Sequence, residues 1–117
     1  MRSLVVKVTA GDNEPERCMQ GLTVCAVAAT SGVTVSLWLT GEAVWLATPG
    51  RDLVLPESPP ASALLATVLA AGTVTVCTQC AARRGLTADG LLGGVRIAGS
   101  ASFVAEALED DVQALVY

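Results

Sequence analysis

Val74-Thr75-Val76-Cys77-Thr78-Gln79-Cys80-Ala81-Ala82-Arg83-Arg84-Gly85 is the stretch from which the rest of the chain can be read. An alternating run of β-branched residues, opening at Gly72-Thr73, predicts a strand. Ala81, Ala82, Arg83 and Arg84 favour helix. Cys77 and Cys80, at CxxC spacing, therefore fall where a strand gives way to a helix. In open α/β sheets ligands bind at the carboxyl ends of strands. The partial positive charge of a helix N-terminus and nearby guanidinium groups both favour thiolate over thiol.

The flanking sequence repeats the same alternation of elements. Leu4-Val5-Val6-Lys7-Val8-Thr9 is a nearly continuous apolar run, as in a strand of a parallel sheet buried on both faces. Asp12-Asn13 and Pro15, with Glu14 and Glu16, predict a helix start, and Ser31-Gly32 a stop near Thr30. Cys18, Leu22, Cys25, Ala26 and Ala29 form its apolar stripe, so Cys18 and Cys25 read as small core residues. Val33-Thr34-Val35-Ser36-Leu37-Trp38-Leu39 is the next strand. Strand, helix and strand make a βαβ unit with a right-handed crossover. Thr40-Gly41-Glu42 then ends the second strand on the rim that carries Cys77, and residues 43–47 predict a short helix bearing Trp45.

Residues 48–60 hold four of the five prolines and predict a loop, either a mobile cover or a subunit contact. Residues 61–71 read as a helix apolar on most sides, expected to be buried all round between the sheet and a neighbouring subunit. Thr87 predicts a cap for a short turn, Val95-Arg96-Ile97 a short strand or extended loop, Ser100 the cap of a last helix through Leu108, and Val112-Gln113-Ala114-Leu115-Val116 a last strand.

The 117 residues predict one domain, 1–117, long enough to form an ordinary core without disulfides. Only 15% of residues are charged against 52% hydrophobic, where soluble domains average about 25% charged. Such sparse charge predicts burial against copies of the same chain. The net charge of −4 argues against nucleic acid. No run reaches the roughly 18 apolar residues of a membrane span, and no signal peptide is recognised, so a cytoplasmic protein with reduced thiols is expected.

Histidine is absent, which excludes Ser-His-Asp and Cys-His catalysis and histidine-ligated metals. Zinc would need ligands beyond Cys77 and Cys80, and Cys18 and Cys25 have the wrong spacing, so apart from an intersubunit zinc no metal is expected. No dinucleotide fingerprint follows the first strand and Lys7 is not in a Walker motif, so no cofactor is expected. The CxxC retains three further readings: a dithiol/disulfide pair, a persulfide-carrying thiol with an optional second cysteine, or a tight structural turn. Arg83 or Arg84 would tune the thiol or bind an anionic sulfur species. Glu42 and Thr78 are rim residues, and Glu42 reads equally well as a surface carboxylate.

Taken in order, Thr9-Ala10-Gly11-Asp12, Trp38-Leu39-Thr40-Gly41-Glu42, Val76-Cys77-Thr78-Gln79-Cys80 with Arg83-Arg84-Gly85, Val95-Arg96-Ile97-Ala98-Gly99 and Leu115-Val116-Tyr117 resemble the DsrE/DsrF/TusD-like (YchN-like) family. The resemblance covers nearly the whole chain. It implies a three-layer α/β/α sandwich with a mostly parallel sheet of about five strands, assembled as a trimer or hexamer. It also implies a sulfur carrier, or sulfurtransferase, that accepts sulfane sulfur as a persulfide from a protein donor and passes it to a protein acceptor. Cys77 holds the carrier position, six residues before Arg83, and Cys80 is the second cysteine found in some members. The alternatives are a thiol-disulfide redox protein and a non-catalytic oligomeric module that binds a small ligand or partner peptide.

Overall fold

The computed structural model describes residues 2–117. Five strands form one parallel sheet: β1 (Ser3–Val8), β2 (Thr34–Leu39), β3 (Thr73–Cys77), β4 (Arg96–Ala98) and β5 (Val112–Val116), in the order β4-β3-β2-β1-β5. From β1 to β4 the chain steps steadily towards one edge. It then crosses the whole sheet to place β5 on the far side of β1.

The helices are α1 (Pro15–Thr30), α2 (Ala61–Ala71), α3 (Thr78–Arg83) and α4 (Ser100–Ala107). Pro15 stands in the first turn of α1, where its missing N–H has no intrahelical partner to lose. The Asn13 side chain accepts the Gly11 N–H at 3.0 Å and shapes the entry. A 3-10 helix, Gly41–Ala47, follows β2. Gly99, not Ser100, occupies the cap of α4, and Ser100 is its first helical residue.

The two faces of the sheet differ in kind. Val6, Val8, Val35, Leu37, Leu39, Val74 and Val76 point to one face and pack on α1 and α2, with Cys18, Leu22, Cys25, Leu64, Leu65 and Val68. Each such Val or Leu, fully buried, contributes about 1.5–3 kcal/mol. The other face carries Ser36, Lys7, Trp38, Thr75 and Arg96. Register puts the last four in one row across four strands, and α4 lies over them. Phe103 of α4 meets Trp38 edge to face at 5.5 Å. Glu106 accepts from Ser36 Oγ at 2.5 Å, from Trp38 Nε1 at 3.2 Å, and from Arg96.

Within one chain α2 buries Ala61, Leu64, Leu65 and Val68, against the sheet and α1. Its exposed positions include Ala63, Ala66, Ala70 and Ala71, small residues whose exposure costs little. The loop 48–60 is fastened to the body. The Asp52 carboxylate accepts the Ser62 N–H at 2.9 Å and its hydroxyl at 2.7 Å. It thereby satisfies an amide in the first turn of α2 that Pro60, at the cap position, has no side chain to bind.

Candidate functional site

Three chain segments converge at the carboxyl ends of β1, β2 and β3. Gly11 lies so close to the next segment that a Cβ there would meet the Glu42 carbonyl oxygen at 2.5 Å. Gly41 takes φ +55°, in the left-handed region, and a Cβ on it would meet the Thr9 carbonyl oxygen at 2.6 Å. These two glycines let the ends of β1 and β2 close together, which aims Glu42 across the rim at α3. Arg84 Nε donates to Glu42 Oε2 at 2.8 Å, and Arg84 Nη1 to the Cys80 carbonyl oxygen at 3.1 Å. The ion pair thus ties the end of the CxxC segment to the β2 rim.

Cys77 ends β3 and is the cap residue of α3, with its side chain on the same sheet face as Thr75. It is 8% exposed and so largely buried. Burial by itself pushes the Cys77 thiol up. The backbone N–H of Cys80, the Cys80 thiol, the backbone N–H of Gln79 and the charge of Lys7 act the other way and prevail, holding Cys77 below the usual 9.0. The neutral thiol makes no capping hydrogen bond, so these groups act on the thiolate.

Of the other sequence-predicted residues, Thr78 and Arg83 are exposed on α3, while Cys80 is buried beneath it. Arg83 lies in the last turn of α3, where its charge suits the carbonyl end of the helix. Arg84 is committed to Glu42. The cation that lowers Cys77 is therefore Lys7, with neither arginine contributing. Sequence reading dismissed Lys7 as a residue inside a strand. The signal was there: a lone lysine amid apolar residues of a strand expected to be buried on both faces is uncommon without a partner.

Cys18 and Cys25 lie in the core between α1 and the sheet. Burial, reinforced for Cys18 by the negative charge of Asp12, pushes Cys18 up to about 11, and burial alone pushes Cys25 up to about 12. Both shifts act against ionisation in the folded chain. Their contribution to stability is complete below the ordinary thiol value of 9.0 and is lost as pH rises through about 11 and 12. Urea midpoints are expected to decline over that alkaline window, and to decline less in Cys25→Ala. An identical decline in the variant would exclude Cys25 as its source.

The sequence matches the model of the DsrE/DsrF-like family over residues 2–113. No curated protein matches. Among solved structures, the YchN protein from E. coli superimposes with a TM-score of 0.84 at 21% identity over 100% of both chains. MTH1491 from Methanobacterium thermoautotrophicum, a protein of unknown function, gives 0.77 at 12% identity over 100% of both chains. BT1422 from Bacteroides thetaiotaomicron, also of unknown function, gives 0.65 at 15%, over 98% of this chain and 94% of that one. At these identities the likeness is one of fold.

Proposed function

The chain belongs to the DsrE/DsrF-like family, and from that premise we propose that it is a sulfur carrier working through a persulfide on Cys77. Family membership supports a role related to sulfur transfer. The observation that carries the finer reading is the contrast among the cysteines. Burial leaves Cys18 and Cys25 inert as thiols, while Cys77, at a strand end, is the one held towards thiolate.

The chemistry balances without a cofactor. The Cys77 thiolate attacks the outer sulfur of a donor persulfide, R–S–SH. The donor S–S bond breaks, R–S⁻ leaves, and Cys77–S–SH forms. An acceptor thiolate then takes the outer sulfur and Cys77 returns as thiolate. Donor and acceptor are proteins in this reading. Thr78, exposed in the first turn of α3, contacts the incoming anionic sulfur group, Arg83, exposed in the last turn, draws that anion to the rim, and Glu42 and Arg84 hold the segment in place. Both turnover catalysis and stoichiometric carriage use these same steps. The chain acts as one domain, 1–117, within a trimer or hexamer. Support for assembly comes from Val104 on α4, Leu108 at its C-terminal cap and Val116 on β5, large apolar residues left exposed. A monomer by light scattering at micromolar concentration would sink that part.

A second reading has its own observation: the Cys80 thiol and N–H both bear on the Cys77 sulfur. Attack by Cys80 on Cys77–S–SH would release hydrogen sulfide and leave a Cys77–Cys80 disulfide, making the protein a redox element. The test is intact mass of the reduced chain after incubation with a persulfide donor. A gain of one sulfur atom, removable by an acceptor thiol, is expected of the carrier. Loss of two hydrogens identifies the redox element. An unchanged mass rejects both and favours a binding module.

A further inference from the structure

We infer that Lys7 is a positioning residue for the sulfur site: its ammonium holds the negative charge of Cys77, first on the thiolate and then on the persulfide. The thiolate half of this inference stands on the shared sheet face, the register and the balance of charges in that layer; the persulfide half rests on the carrier reading.

Alternation along the strands puts Lys7 and Cys77 on one side of the sheet. Lys7, Trp38 and Thr75 are register partners on β1, β2 and β3. Cys77 lies two residues beyond Thr75 and faces the same way. This is the face that α4 covers, so ammonium and thiol share the layer between sheet and helix. The Lys7 Nζ sits 4.1 Å from the centroid of the Phe103 ring. That ring is itself set edge to face against Trp38, so the half-buried lysine keeps its ammonium against α4.

The charges around the thiol explain why Lys7 is the effective one. On the α4 side, Glu106 is the carboxylate, and Arg96, Ser36 and Trp38 already occupy it. Burial by itself would push Glu106 up, but those three partners prevail and hold it below the usual carboxylate value, as an anion. Arg96 and Glu106 therefore cancel. Across the rim Arg84 and Glu42 cancel in the same way. Cys80, on α3, acts on Cys77 through hydrogen bonding. Among the described residues Lys7 enters no ion pair, and its partner is an aromatic ring. One positive charge is thus left uncompensated in the layer that receives the sulfur, and a single anion on Cys77 completes the balance. The direction of the Cys77 shift agrees with this count.

Lys7 does no bond making. In the transfer the negative charge starts on Cys77 and departs on R–S⁻; Cys77–S–SH is neutral as formed and becomes an anion again when its outer S–H gives its proton to water. A fixed cation stabilises that charge at both stages. An arginine would serve, and a neutral side chain of similar length would not.

The test is the rate of iodoacetamide alkylation of Cys77 against pH, read by peptide mass, in the full chain and in Lys7→Met, Lys7→Gln and Lys7→Arg. In Lys7→Met the midpoint should rise and alkylation near neutral pH should slow by roughly twofold to tenfold, up to one pKa unit. The alkaline plateau should not change, because access to the sulfur is unchanged. Lys7→Arg should restore the wild-type midpoint. Lys7→Gln, polar at its tip, serves where the methionine variant does not fold. A wild-type midpoint in either folded neutral variant overturns the inference, as does a raised midpoint in Lys7→Arg. Sulfur uptake is measured in the same samples. No uptake by the wild type, with a shifted profile in the variants, would reject the carrier reading and leave Lys7 acting on a thiolate. Uptake with an unmoved profile would do the reverse.

Discussion

Cys77→Ser is expected to bring sulfur uptake down to the level of free solution, with no sulfur atom gained from a persulfide donor. A serine hydroxyl is close in size to the thiol it replaces at the end of β3. The nucleophile is nevertheless gone, because a hydroxyl without a general base is not ionised near neutral pH and the chain has no histidine to supply one. Cys80→Ser separates the two readings. Its backbone N–H remains and its hydroxyl replaces the thiol as donor, so the groups that lower Cys77 persist. A carrier keeps its sulfur gain in Cys80→Ser, and a dithiol element loses the ability to shed two hydrogens. Uptake that survives in Cys77→Ser would move the carrier role to Cys80, since Cys18 and Cys25 lie fully buried.

The second large effect is on stability. Leu37 stands on central strand β2, fully buried between the sheet and the α1–α2 layer. Leu37→Ala removes apolar surface and leaves a cavity whose walls are held by strands on both sides. A loss of about 3 kcal/mol is expected, within the range for buried leucines. Val54→Ala is the control, 68% exposed on the loop, and should fall within about 0.5 kcal/mol of wild type. Urea unfolding measures both. Equal midpoints for the two variants would mean that the apolar face of β2 is not the centre of the core.

Much of the candidate site was legible in order along the chain. A β-branched run followed by alanines and arginines sets a strand against a helix, so Cys77 at their junction follows from local propensity. The absence of histidine, also local information, restricts activation of that thiol to charge and backbone. Gly41 was read only as part of a strand end. Its left-handed φ and its closeness to Thr9 show why no larger residue fits there.

What the sequence determined by itself is the series of elements and the chemistry available at the end of β3, because periodicity, turn residues and residue type act over a few positions. The strand order β4-β3-β2-β1-β5 was decided by tertiary structure, and with it the neighbours of the thiol. Alternation assigns the two faces of one strand but does not say which strand lies beside it. Arg83 and Arg84, near Cys77 in sequence, stand at the far end of a short helix, and Arg84 turns to Glu42. Lys7, remote in sequence, comes onto the thiol's face because β1 pairs with β2 and β2 with β3 in the register observed. Charge acts through space, so the lysine that shares the thiol's face could be identified only once the sheet had been assembled.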